Sequence, residues 1–188
     1  MSEQVSLGCG AAFGVALLSL AACGGPAPAA EPGVIVTPDA LALDLWSASV
    51  ARCRELASML PHAGNSHRPD VMFTAHYAYV EAYPRCIEGV EASDLDDDTR
   101  ALTAATLDIV LAQAHHLGAD AAYLEGDIPR VCDALDGVRD AALQAEARLA
   151  RVVDDTTGAS ERMAPAIRYE LWFADAAGAE LCGTGGAP

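Results

Sequence analysis

The sequence predicts an all-α fold, a single bundle of about five helices in antiparallel hairpins, stapled by disulfides. Three observations carry this expectation. From residue 37 onward, apolar residues recur at three- and four-residue spacing, the signature of amphipathic helices. Short clusters of Pro, Gly, Asp and Asn break those runs into helix-length pieces. Alternation of period two is missing from the same stretch; only Val34-Ile35-Val36, just before it, suggests a strand.

The first helix is expected to open at Thr37-Pro38-Asp39, with Thr37 as N-cap and Pro38 in the first turn. Leu41, Leu45, Ala48, Arg52 and Leu56 form one stripe, with Trp46, Val50, Cys53 and Ala57 beside it. Pro61 and the polar run from His62 to His67 are read as its end. The second helix opens near Arg68-Pro69-Asp70. Phe73, Tyr77, Val80 and Pro84 share a face at helical spacing, and Pro84 is expected to bend or end the helix, leaving Cys86 and Ile87 beyond the break. Tyr79 and Tyr83, four apart, make a second aromatic face.

Ser93-Asp94-Leu95-Asp96-Asp97-Asp98-Thr99 reads as an acidic helix start, because carboxylates favour the positive end of the helix dipole. Asp94, Asp96 and Asp98 match the first three ligand positions of an EF-hand loop. Thr99 stands where that loop needs Gly and Ala105 where it needs Glu, so capping is the better reading. The third helix carries Leu102, Ala105, Ile109, Ala112 and His116, with His115 and His116 in its last turn and Gly118 just past its end. A short helical piece, Ala119 to Leu124, ends at Gly126. Asp127 caps the fourth helix and Pro129 fits its first turn. Its buried face is Val131, Leu135, Val138, Ala142, Leu149 and Val153, and Asp154 to Gly158 is the turn. The fifth helix begins between Ser160 and Pro165 and runs through Ile167, Leu171, Ala174 and Gly178, with Trp172 and Phe173 adding bulk. The stretch Tyr123-Leu-Glu-Gly126-Asp127-Ile128-Pro-Arg-Val131 resembles the inter-helix turn of a tetratricopeptide repeat. It has no second copy in the chain, which leaves a helical hairpin.

Upstream of these helices, residues 11–22 are an apolar run of 12, the length of a secretory h-region and too short to span a bilayer. The last three residues of that run and the cysteine after it, Leu20-Ala21-Ala22-Cys23, resemble the lipobox of bacterial lipoproteins. The resemblance implies a signal peptide over 1–22, diacylglycerol on the Cys23 sulfur and cleavage just before it. The first ten residues depart from the usual pattern, with Glu3 and no basic residue. Gly24 is not the aspartate that retains enterobacterial lipoproteins at the inner membrane, so the resemblance favours the outer membrane. Residues 23–36, rich in Gly, Pro and Ala, read as a flexible tether that reaches up to ~40 Å. The helical domain is expected over 37–182 and a disordered tail over 183–188.

Cys9 leaves with the signal and Cys23 takes the lipid, so four cysteines remain for the domain. An even number in an exported domain favours two disulfides, with three possible connectivities. The midpoint of Cys132 and Cys182 falls at residue 157, inside the turn predicted between the fourth and fifth helices, so an antiparallel hairpin sets those two level. Cys53–Cys86 follows mainly by elimination. No cysteine spacing suits a zinc ribbon, a CxxC redox site or haem attachment.

The net charge is −16, and all 11 basic residues are Arg. Such a surface repels phosphates, which argues against nucleic acid as a partner and against attachment to anionic lipid by charge. The expected partners are the membrane, through a lipid anchor, and an envelope protein. No catalytic motif is present: GxSxG, P-loop, dinucleotide and HExxH signatures are all missing. Phe73, His76, Tyr77, Tyr79 and Tyr83 are candidates to line a ligand pocket. Asp108 and His115, seven apart on one helix face, with His116, are weak metal candidates. No cofactor is expected. The reading is a non-enzymatic binding or scaffolding protein of the cell envelope, with a small-ligand or metal-binding domain as the alternative and an envelope enzyme third.

Overall fold

A computed structural model describes residues 48–183 as five α-helices. They are α1 (Ala48–Asn65), α2 (Pro69–Glu91), α3 (Asp97–Glu125), α4 (Ile128–Leu149) and α5 (Ala159–Ala177), closed by a π-helical turn over Gly178–Cys182. No strand occurs among the described residues. The start at Thr37-Pro38-Asp39, the lipobox, the tether and residues 184–188 lie outside the described residues.

Helix α3 is the axis of the bundle and touches each of the other four helices. Its 29 residues extend about 43 Å. It is buried nearly all round from Leu102 to Ala122, as a helix apolar on every side must be. Small residues on it, among them Ala104, Ala105, Ala112, Ala119 and Ala122, are 0–1% exposed and let its neighbours come close.

Local chemistry sets the ends. At the start of α3 the Asp96 carboxylate accepts from Thr99 N (2.9 Å) and Thr99 Oγ1 (2.6 Å). Gly126, at φ 74°, ends α3 in the left-handed region, with Gly126 N and Asp127 N donating to Tyr123 O and Ala122 O. Asp127 then accepts from Arg130 N to open α4. Before α5, the Asp155 carboxylate receives Ala159 N at 3.1 Å and Ser160 N at 2.7 Å. Asp98, from the acidic run, reaches across to the α4–α5 loop and accepts from Val153 N and Asp154 N, each at 2.9 Å. The acidic run therefore spends one carboxylate on capping α3 and another on tying the start of α3 to the α4–α5 loop.

Both disulfides are formed. Cys53–Cys86 joins α1 to α2 with Cα atoms 6.4 Å apart, and Cys132–Cys182 joins α4 to the terminal turn with Cα atoms 5.7 Å apart.

Several boundaries differ from expectation. Pro61 does not end α1, which continues to Asn65. An interior proline costs about 3 kcal/mol, and burial of Leu60 and Ala63 on either side of it offsets that cost. Pro84 likewise lies inside α2, exposed, and Cys86 sits on the same helix rather than beyond a break. Gly118 does not end α3, so Ala119 to Leu124 belongs to that helix and His115 and His116 stand well before its end. The buried face of α2 is Met72, Phe73, Ala75, His76, Tyr79, Cys86 and Val90, which turns Tyr77 and Pro84 outward and the tyrosines 79 and 83 inward. Arg52 is exposed rather than part of the α1 stripe, and Val153 is 92% exposed in the loop after α4.

Candidate functional site

The polar interior of the bundle is a row of side chains along α3, joined to partners on α2, α4 and α5. Near the start of the row, Asp108 is fully buried. Its two oxygens are divided between helices: Oδ1 accepts a short bond from the Tyr83 hydroxyl of α2, and Oδ2 accepts from Arg148 Nε of α4 at 2.7 Å. Burial raises the Asp108 carboxyl above the usual range, against the pull of Tyr83 and Arg148. Burial, with help from Asp108, also raises the Tyr83 phenol. One turn closer to the start of α2, Tyr79 is fully buried and donates to Leu107 O at 3.3 Å.

Two turns on from Asp108, His115 Nδ1 stands 3.3 Å from His76 Nε2 of α2. Each imidazole lies on a glycine of a third element or partner helix. A Cβ at Gly118 would meet His76 Nδ1 at 2.5 Å, and a Cβ at Gly137 of α4 would meet His115 Nδ1 at 2.6 Å. The glycines at 118 and 137 are thus the floor on which the two rings sit, which explains glycine inside two helices at a cost of about 1 kcal/mol each. His76 Nδ1 is buried without a hydrogen-bond partner. Burial, with the nearby His115 and Arg130, pushes His76 down to about 4, and burial lowers His115 despite Asp140. The exposed edge is aromatic. Tyr77, 51% exposed, stacks on His76 at 4.8 Å and on Phe73 at 5.8 Å, and the Arg130 guanidinium lies over the Phe73 ring at 4.7 Å.

His116 faces the other way, toward α5. Its Nδ1 is 2.9 Å from the buried Glu170 carboxylate, its Nε2 is 4.0 Å from Asp120, and its ring stacks on Phe173 at 3.6 Å. Burial opposes charge on His116, but Glu170 and Asp120 outweigh it and raise the group. Burial also raises the Asp120 carboxyl, which His116 lowers in turn. Here a carboxylate orients an imidazole, the arrangement a general base requires. A groove of about 390 Å³ lies elsewhere, between α4 and α5 beside Cys132, Asp136, Arg139, Asp175 and Cys182.

The ligand-pocket candidates therefore separate. Phe73, His76 and Tyr77 form one aromatic edge, while Tyr79 and Tyr83 are committed to internal partners. The metal candidates separate too: Asp108, His115 and His116 point to Tyr83 with Arg148, to His76, and to Glu170. No group of three or more His, Cys, Asp and Glu donors that could hold a metal occurs among the described residues. Sequence reasoning missed Arg148, Glu170 and the two glycine floors. The signals were a carboxylate on the apolar stripe of α5, between Ile167 and Ala174, and a lone glycine inside α4. Among the described residues no helix is long and apolar enough to cross a membrane. Comparison of the chain with protein-family models, with curated proteins and with solved structures finds no match.

Proposed function

We propose that this chain is a lipid-anchored protein of the bacterial cell envelope, held to the membrane through Cys23, with its helical domain binding or scaffolding an envelope protein. The observation that carries the reading is the state of the cysteines: the four that follow the tether pair two by two. Such pairing persists where thiols are oxidised, outside the cytoplasm. The lipobox-like Leu20 to Cys23 supplies the route there, and Gly24 favours the outer membrane. The domain faces the periplasm or the cell surface.

A non-enzymatic role fits the interior. The charged side chains of the row are committed to internal partners: Asp108 to Tyr83 and Arg148, and His116 to Glu170. The strong negative charge favours a protein partner with a basic face over nucleic acid or anionic lipid. The alternative, a metal-binding domain, is favoured by one feature, the facing imidazoles of α2 and α3.

Metabolic labelling with a fatty-acid analogue tests the anchor, and cross-linking in intact cells tests the partner. The expected results are label on the wild type, none on Cys23→Ser, and one reproducible adduct with an envelope protein. Label that persists in Cys23→Ser, or the lack of any adduct from anchored protein, contradicts the reading.

A further inference from the structure

His76 and His115 bring two ring nitrogens, on different helices, to 3.3 Å. The pair is in hydrogen-bond contact, at a spacing slightly beyond the usual range of about 2.7–3.2 Å for an N–H donor. The same spacing also suits a second arrangement. Two imidazole nitrogens bound at about 2.0–2.1 Å to one tetrahedral ion stand about 3.3 Å apart. Both rings are fixed before any ion arrives, because Gly118 and Gly137 give each a flat seat with no room to spare.

We infer that His76 Nε2 and His115 Nδ1 form a two-nitrogen clamp for a single late first-row transition ion, Zn²⁺ or Cu²⁺. Imidazole suits these ions, whereas Ca²⁺ and Mg²⁺ need oxygen ligands. No third side chain completes a cluster among the described residues, so the remaining positions on the ion would fall to water. Coordination through Nε2 leaves the ring proton of His76 on Nδ1. Two neighbouring charges act on the ion in opposite senses: Asp140 near His115 attracts it and Arg130 near His76 repels it. Arg130 is partly neutralised by Glu125 and Asp127, at 3.6 and 3.8 Å. The half-exposed Tyr77 ring stacks on His76 and covers it on the solvent side. This inference does not depend on the lipid anchor or on the proposed partner.

The test uses the full chain with disulfides intact, stripped with a chelator and titrated with Zn²⁺ by calorimetry. One equivalent is expected to bind. His76→Gln and His115→Gln are each expected to weaken binding at least about tenfold with an unchanged helical circular dichroism spectrum. The double variant His62→Gln/His67→Gln, which removes two exposed imidazoles, is expected to bind as the wild type does. Should either core variant fail to fold, the wild type decides alone: electron paramagnetic resonance of its Cu²⁺ complex is expected to show coupling to two imidazole nitrogens. No saturable binding, binding that survives loss of either imidazole, binding lost with His62 and His67, or coupling to fewer than two nitrogens would overturn the inference.

Discussion

Asp108 shows how one residue can hold three helices. Its side chain is at 0% exposure in the middle of an apolar run, and burying a carboxylate is tolerable only because Tyr83 and Arg148 meet both its oxygens. Replacing Arg148 by Ala leaves that carboxylate without its cation. The expected cost is about 3 kcal/mol in urea denaturation. The double variant Asp108→Asn/Arg148→Ala is expected to lose less than the sum of the two single changes, since no charge is then stranded. At His76 the effect is on pH. Its folded value, about 4, lies below the unfolded 6.5, so the unfolded chain takes up the proton first. The stability gained by keeping His76 neutral is full above pH 6.5 and is lost as pH falls toward 4. Between pH 6.5 and 5 this amounts to about 1 kcal/mol after screening by solvent at the edge of the site. Urea denaturation at the two pH values is expected to show His76→Gln losing about that much less than the wild type.

Elements obey a simple rule here: local signals decide how helices begin, and packing decides how far they go. Asp96, Gly126 and Asp127 sit at ends the sequence marked, because a cap works through bonds to the next few backbone groups. Pro61, Pro84 and Gly118 also look like stops, yet all three lie inside helices. Burial of Leu60, Ala63, Cys86 and Ala119 around them, supplied by distant residues, outweighs the local penalty. The same limit hid the face of α2. Spacing alone grouped Phe73 with Tyr77, and only the position of α3 turns Tyr79 and Tyr83 inward. The disulfide Cys132–Cys182 was legible because a hairpin makes residue numbers symmetric about its turn, whereas the His76–His115 and His116–Glu170 pairs, 39 and 54 residues apart, leave no such arithmetic. Two glycines and one cap give tests at this scale. Gly118→Ala and Gly137→Ala raise helix propensity yet push a Cβ into a buried imidazole, and each is expected to lower stability by about 1–3 kcal/mol in urea denaturation. Asp155→Ala removes the carboxylate that receives Ala159 N and Ser160 N, with an expected loss of about 1 kcal/mol.

At the level of the whole molecule the two disulfides do different things. Cys53 and Cys86 are 0% and 1% exposed between α1 and α2, while Cys182 is exposed on the last turn. Limited treatment with a thiol reductant followed by alkylation is expected to modify Cys132 and Cys182 first and to leave the helical signal nearly unchanged. Opening Cys53–Cys86 frees a loop of 33 residues in the unfolded chain, an expected loss of about 4 kcal/mol by the chain-entropy argument. Paired thiols and the Gly/Pro/Ala-rich sequence ahead of the helices support the proposal of a domain held outside the cytoplasm by a lipid. Intact-mass spectrometry of the protein taken from its native membranes tests that claim most directly. The account predicts a chain that begins at Cys23, carries fatty acyl groups on that residue and has no free thiol. A chain that keeps Met1, lacks acyl groups and alkylates at all six cysteines without reduction would contradict it.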